Sequence, residues 1–530
     1  MEKVRVAIIG AGPSGLAMLK QLRADGFVTT LFERRSRVGG LWAFSEDENH
    51  TTALPRTRAN ISKFTCGFSD YPIPDKYPVY MNPHHFQEFM HDYAMHFDLL
   101  KDIRFNTSIK NVTRNEADTH WVLEMESEGK SSLVEFDKIA FCHGYQTKAA
   151  LPTFDGQEKF SGVIMHSQQY RKPEDFVGKK VVVVGLGSTV GDIIPDLAPY
   201  ASEIWLSHRR GAVPFKRFRN GTPQDLGITW RRRQIGFIIQ RRFPWLAKLL
   251  ADTLVAYLGR RTFGKLDPAW RLEPFPSITL NLPGSWEDVV PLMKDGTVRN
   301  MPGITKFTGS KSIEFADGTV LEDIDAVICA TGYEADLSVA PFLEKSTPVA
   351  HGYSGEPIYR LYMNMFPPRY TDSCVLICYS AFGKSNGFSF GDLTAMAVSN
   401  VWRGVEKLPT RAEIDHHIDA HQAWVASRWK MEPNIDTSMV KAWEFQGWLH
   451  RAAGTGLENI GWGWRGWRFW LEDRKMYNLM NNGVETAHMY RYFETGKRKT
   501  WDGARDAILH ANETVKMFPI KEDTEVSTKR

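Results

Sequence analysis

Two segments of this 530-residue chain repeat one pattern, and together they leave few folds open. VRVAIIGAGPSG, from Val4 to Gly15, is an almost continuous apolar strand entering a glycine turn and then an apolar-periodic helix. KKVVVVGLGSTVGD, from Lys179 to Asp192, does the same. A strand, a tight turn and a helix N-terminus cradle a pyrophosphate on backbone N–H groups. The chain therefore reads as α/β, with two Rossmann-like dinucleotide-binding domains.

In the first unit Gly10, Gly12 and Gly15 satisfy GxGxxG within Gly10-Ala11-Gly12-Pro13-Ser14-Gly15. The first glycine permits the turn, the second lets backbone approach pyrophosphate, and the third lets helix pack on strand. The next strand, VTTLFE, ends in Glu33, about 20 residues on, where a carboxylate accepts from ribose hydroxyls. Arg34 and a second glycine pair follow, in Gly39-Gly40-Leu41-Trp42, where the backbone can run along a flavin.

The second unit has Gly185 and Gly187 but valine at position 190, where the motif wants glycine. Val190 is expected to crowd the strand–helix contact, with Gly191 relieving it. The following strand, EIWLSHRRG, ends in His208-Arg209-Arg210 where an NAD site would carry an acid. Guanidinium groups suit a 2′-phosphate, so NADPH is expected over NADH.

Length suits two or three domains rather than one core. Lys plus Arg exceed Asp plus Glu by only 66 − 62 = 4, too little to argue for a nucleic-acid partner. Five scattered cysteines suit free thiols, show no metal-ligand spacing and lack a CxxC pair; Cys374 and Cys378 lie in a buried-strand pattern. A strand starting almost at Met1 leaves no room for a signal peptide, and no apolar run reaches the roughly 18 residues of a membrane span. The expected location is cytoplasmic, with a membrane-peripheral option.

Several stretches resemble the flavin-containing monooxygenase family, of the dimethylaniline monooxygenase type (class B flavoprotein monooxygenases). They are the acid followed by GGLW, the segment ANISKFTCGFSDYPIPDKYP from Ala59 to Pro78, and the joint Phe160-x-Gly162-x-x-x-His166-x-x-x-Tyr170. Ala330-Thr331-Gly332-Tyr333, GDLTAMAVSNVWRG around Asp392 and Trp501 to Ile508 add to the likeness.

The resemblance implies FAD at the first turn and NADPH at the second, with the NADPH domain inserted into the FAD domain. The expected division is 1–165 for the first part of the FAD domain, 166–330 for the NADP domain, 331–520 for FAD-domain completion and a substrate-capping region, and 521–530 for a flexible tail. It puts Asn60, the catalytic candidate, and Ile61 beside the flavin, with Arg34, Gly40, Leu41, Trp42, Thr331, Gly332 and Asp392 along FAD. Ser188, Thr189 and Asp192 fall beside NADP, Arg209 and Arg210 at its phosphate, and His166 becomes a linker coupling NADP to flavin without acting as a base.

The chemistry so implied is hydride transfer from NADPH to FAD, oxygen capture as a C4a-hydroperoxyflavin, and transfer of one oxygen to a nitrogen or sulfur nucleophile. An FAD site and an NADPH site without redox cysteines or metal ligands leave molecular oxygen as the electron acceptor. Substrates are expected among amines, sulfides or alkaloid-like molecules; the oligomeric state stays open, a dimer among the options. Baeyer–Villiger insertion into a ketone is one alternative, although such relatives carry Trp followed by Pro or Asp where Tyr170-Arg171 stands. A non-catalytic flavin-fold binding protein is another.

Residues 231–263 mix apolar clusters with arginines; a buried helix pair with snorkelling arginines is the plainest reading, with a membrane-surface segment or helices capping a substrate channel as alternatives. The tryptophans between Trp443 and Trp470 are expected in a core.

Overall fold

The computed structural model describes residues 3–519 apart from 282, 350–352, 354, 378, 380–386 and 433–434. Strand β1 (Arg5–Ile9) leads into helix α1 (Pro13–Ala24) and strand β2 (Val28–Phe32). Helix α2 (Pro83–His96) follows, then β3 (Ile103–Arg104), the antiparallel meander β4 (Thr107–Arg114), β5 (Trp121–Ser127) and β6 (Lys130–Phe136), and β7 (Lys138–Phe141). The chain then crosses to a second unit through β8 (Lys148–Ala149), which leads to β9 (Val163–His166), β10 (Lys180–Val184), α3 (Ser188–Leu197) and β11 (Glu203–Ser207). Helices α4 (Trp230–Arg242), α5 (Pro244–Phe263) and α6 (Val289–Lys294) precede β12 (Val298–Met301) and β13 (Ala326–Cys329). After β14 (Tyr333–Glu334) come β15 (Cys374–Leu376), α7 (Gly387–Trp402), α8 (Arg411–Trp429), α9 (Ala442–Ala453) and α10 (Trp464–Glu472).

Two five-stranded parallel sheets result, in the orders β15-β7-β1-β2-β3 and β12-β11-β10-β13-β9. Parallel sheets are covered on both faces, which is why the strands read as unbroken apolar runs. Val6, Ala7 and Ile8 are fully buried, as are Val181, Val182 and Val183.

β15 enters the first sheet from beyond the second unit, so the second sheet is an insertion in the first. The outgoing and returning crossings pair with each other, β8 antiparallel to β14. β9 pairs with β13, so residues 163–165 belong to the second sheet, and the first unit gives way at the crossing rather than at residue 165.

The expected buried helix pair is not buried. On α4 and α5 only Trp230, Gly259 and Phe263 are, while Ile238, Trp245, Leu249, Leu254 and Tyr257 are exposed. Their apolar residues surround each helix instead of forming one stripe that a core could cover. The tryptophan-rich segment divides likewise. Trp448 is in the core, but Trp462, Trp464 and Trp467 are exposed, Trp464 by 77%. No helix among the described residues is long and apolar enough to cross a membrane.

Cys66, Cys142, Cys329 and Cys374 are buried; Cys378 and the tail 521–530 lie outside the described residues. Burial pushes the Cys66 thiol up, and that of Cys329 to about 12, so both stay protonated and unreactive.

Candidate active site

The first turn requires glycine at its first and third motif positions. Gly10 has φ +100°, and a Cβ there would lie 2.8 Å from His143 Cα. A Cβ on Gly15 would lie 1.8 Å from the Gly10 carbonyl oxygen, which is the helix-on-strand contact expected of the third glycine. Gly12 caps α1 with no side-chain hydrogen bond, and Pro13 opens the helix. By contrast Asn82 and Thr410 cap α2 and α8 with their side chains. The orphan N–H groups at the start of α1 are thus left for an anion.

Gly40 faces this turn, and a Cβ on it would lie 3.0 Å from Gly12 Cα. The Gly39 N–H donates to the Ala11 carbonyl at 3.0 Å. Glu33 accepts from the Ala11 N–H at 2.7 Å and from the Arg35 N–H at 2.9 Å, which fixes the acid at the strand end beside the turn. Arg34 is exposed. Its neighbour Arg35, which the sequence reading passed over, is buried and donates to the carbonyls of Gly40, Ala43 and Thr51. Trp42 continues this wall, its ring 4.3 Å from Phe86, after Leu41, whose carbonyl accepts from Ala53. Bare backbone on both sides, a free helix N-terminus and an acid in register fit the diphosphate and ribose of FAD.

In the second turn Gly185 has φ +135°, and a Cβ there would lie 2.3 Å from the Ala330 carbonyl oxygen. Gly187 caps α3 without a side-chain bond, again leaving N–H groups free, with Ser188 and Thr189 in the first turn. The crowding expected at Val190 does not occur. Its side chain is fully buried in a cluster with Val183, Ile193 and Ile194. Gly191 serves another contact, since its Cβ would lie 2.0 Å from the Ser285 carbonyl oxygen. The two arginines after β11 part company. Arg210 pairs with Glu432 at 3.1 Å, whereas Arg209 is exposed and has no ion-pair partner among the described residues. Arg209 therefore carries the free positive charge beside this turn.

Between the turns, the Asn60 Nδ2 donates to Ser188 Oγ at 3.1 Å and its Oδ1 accepts from Arg217 Nη2 at 3.2 Å. Arg217 is the residue that sequence reasoning missed. Only 6% exposed, it also donates to the carbonyls of Ala59 (2.8 Å) and Arg58 (2.7 Å) and pairs with Glu287 at 2.7 Å. Asp225, from the same stretch, accepts from Ser62 N–H, Ser62 Oγ and Thr65 Oγ1, pinning the loop just after Asn60 and Ile61. Asp192 lies under this bridge; burial pushes its carboxyl up to about 6, against the pull of Arg217 and Thr57.

His166 sits at the end of β9. Its Nδ1 accepts from the Gln168 N–H at 3.0 Å, and burial lowers its pKa, leaving a neutral ring 4.9 Å from Tyr333. Tyr170 is a core residue whose hydroxyl donates to Asp196 at 2.9 Å. On the returning crossing Thr331 Oγ1 donates to the Ala150 carbonyl at 2.6 Å, and Gly332 has φ +95°.

Asp392 is placed otherwise than expected of a residue along FAD. The approach is made by Gly391, whose Cβ would lie 2.8 Å from Ser14 Cα. Asp392 is fully buried, accepts from the Ser69 N–H at 2.7 Å and faces Arg491, itself 3.2 Å from Asp70. Although burial opposes it, Arg491 and Lys20 hold the Asp392 carboxyl below its ordinary range. No cluster of His, Cys, Asp and Glu among the described residues could hold a metal.

Residues 3–527 match the family model described as FMO-like, flavin-binding monooxygenase-like. The chain is similar to monooxygenase aurF of Gibberella zeae, at 35% identity over 97% of this chain and 98% of that one. Human flavin-containing monooxygenase 5 is 32% identical over 97% of this chain and 93% of its own length. Among solved structures, S-allyl-L-cysteine S-oxygenase from Allium sativum superposes with a TM-score of 0.62 at 19% identity, covering 98% of this chain and 99% of that one.

Proposed function

The chain belongs to the flavin-binding monooxygenase-like family, and on that premise we propose that it transfers one oxygen atom to a nitrogen or sulfur nucleophile of a small molecule. It is an FAD- and NADP(H)-dependent monooxygenase. The observation that carries the reading is the Asn60 amide, which reaches from the flavin-side loop to Ser188 at the nucleotide helix. One side chain so placed can answer to both cofactors.

FAD, once reduced by NADPH, activates dioxygen; the protein's share is to bind, orient and exclude water. Gly12 and Gly40 would offer bare backbone to the FAD diphosphate, and Glu33 would accept from its ribose hydroxyls. The N-terminus of α3 and Arg209 would hold the pyrophosphate and 2′-phosphate of NADPH. Arg217 fixes Asn60 by its oxygen, so its N–H₂ is directed toward Ser188 at the start of α3. His166 stays neutral and takes no proton. Tyr170-Arg171 in place of Trp-Pro or Trp-Asp favours transfer to nitrogen or sulfur over ketone insertion.

A thioether, a tertiary amine and a cyclic ketone offered separately, with NADPH consumption and product mass as readouts, test the reading. Sulfoxide or N-oxide is expected, and a lactone alone overturns it.

A further inference from the structure

We propose that the cleft between α4, α9 and α10 is a second ligand site, apart from both cofactors, for a planar aromatic carboxylate. The cleft encloses about 950 Å³ and is walled by Trp230 and Phe237 of α4 and by Trp462 and Trp464 before and on α10. That volume is ample for a small molecule of one or two fused rings. α9 separates it from the flavin turn: Phe445, Leu449 and Ala452 face the core with α7, whereas Gly447 and His450 face the cleft. No residue of either glycine turn lines it.

The charge is on Arg231. It lines the cleft half-buried, its Nε has no hydrogen-bond partner, and its guanidinium has no acidic partner among the described residues and lies over the Tyr477 ring, 5.8 Å from the ring centroid. The other cations there are matched: Arg465 to Glu458 at 2.9 Å, Lys497 to Glu406 at 2.7 Å, Arg468 to Glu472 at 3.0 Å, and Arg451 to Glu406 at 4.0 Å. His450 contributes no charge, because burial and then Arg233 lower its pKa to about 3. A half-buried guanidinium with no acidic partner, beside aromatic walls, is matched by an anion whose ring lies against the tryptophans, since the planar fork of its terminal nitrogens fits a carboxylate. A neutral ring would fill the walls and leave Arg231 unpaired.

Equilibrium dialysis of the FAD-loaded full chain against 2-naphthoate, and against neutral 2-naphthalenemethanol, tests this. One equivalent of naphthoate should bind at least tenfold more tightly than the alcohol. Arg231→Gln should erase that difference, and Arg231→Lys should keep part of it. Gly447→Phe, at a helical glycine with no atom within 4 Å of its Cβ position, should block both ligands while leaving FAD content unchanged. Non-saturable binding, equal affinities in the parent protein, an unchanged preference in Arg231→Gln or displacement of naphthoate by NADP⁺ each overturns the proposal.

Discussion

Asn60 and Ser188, 128 residues apart in sequence, are joined by one hydrogen bond of 3.1 Å from the amide to the hydroxyl. This bond connects the loop proposed to lie beside the flavin to helix α3, the proposed NADPH helix, so its loss should be felt where the two cofactors cooperate. Asn60→Ala is expected to retain FAD and to oxidise NADPH, but to release several-fold more hydrogen peroxide per NADPH. Peroxide and product measured against NADPH consumed decide it; unchanged coupling would remove the role given to Asn60.

Arg217 holds Asn60 from the other side and pairs with the largely buried Glu287. Removing one partner of a buried pair costs about 3–5 kcal/mol, and the lower end applies because Arg58 also reaches Glu287, at 2.9 Å. Arg217→Ala should therefore lower the thermal midpoint clearly. Arg217→Lys keeps charge but loses the planar fork, so it should recover most of the stability and still leak peroxide. A lysine variant with normal coupling would confine Arg217 to stability alone.

Arg209 carries the unpaired guanidinium, while Arg210 is engaged by Glu432. Arg209→Ala should raise the KM for NADPH about tenfold, on the order of one charge-assisted contact, with little change for NADH. Arg210→Ala should do much less. Equal effects of Arg209→Ala on both nucleotides would withdraw the phosphate contact.

Backbone rules made the two turns legible. Gly10, Gly15 and Gly185 stand where any Cβ meets main-chain atoms, and such constraints are local enough to show in a short motif. Glu33 was legible for the same reason, being fixed by strand length. Arg217 was not, because its partner Asn60 lies 157 residues away and no local pattern distinguishes it from its basic neighbours. Arg491, which neutralises Asp70 and Asp392, lies farther still from Asp70 and almost a hundred residues from Asp392. The tryptophans misled because composition does not say which face of α10 is covered; Trp464 and Trp467 turn outward while Phe469 turns in. Val190 misled because the motif assumes that the glycine serves the strand, whereas here the close approach is made by Gly191 to Ser285.

Gly187 and Gly191 should separate binding from folding. A Cβ on Gly187 meets nothing within 4 Å, so Gly187→Ala is expected to leave stability unchanged. It should weaken NADPH, because the methyl group occupies the space through which pyrophosphate approaches the α3 N-terminus. Gly191→Ala drives a methyl group against the Ser285 carbonyl and should destabilise the second unit, seen as faster proteolysis with FAD still bound. The reverse pattern would mean that the turn does not face nucleotide.

Asp192 offers a test by pH. Burial raises its carboxyl to about 6, against an ordinary 3.8, so the folded protein holds this proton more tightly than the unfolded chain. Below about pH 4 the group is protonated in both states and costs nothing. As pH rises from 4 through 6 the unfolded chain ionises first, and folding stability falls by an amount on the order of 3 kcal/mol, at 1.36 kcal/mol per pH unit of difference. Asparagine does not ionise, so Asp192→Asn should raise the thermal midpoint of the FAD-loaded, nucleotide-free protein at pH 8. The gain should shrink steadily toward pH 4.5. Midpoints of the two proteins recorded across this range should diverge upward with pH; a constant gap would mean that Asp192 ionises in the folded protein as it does in water.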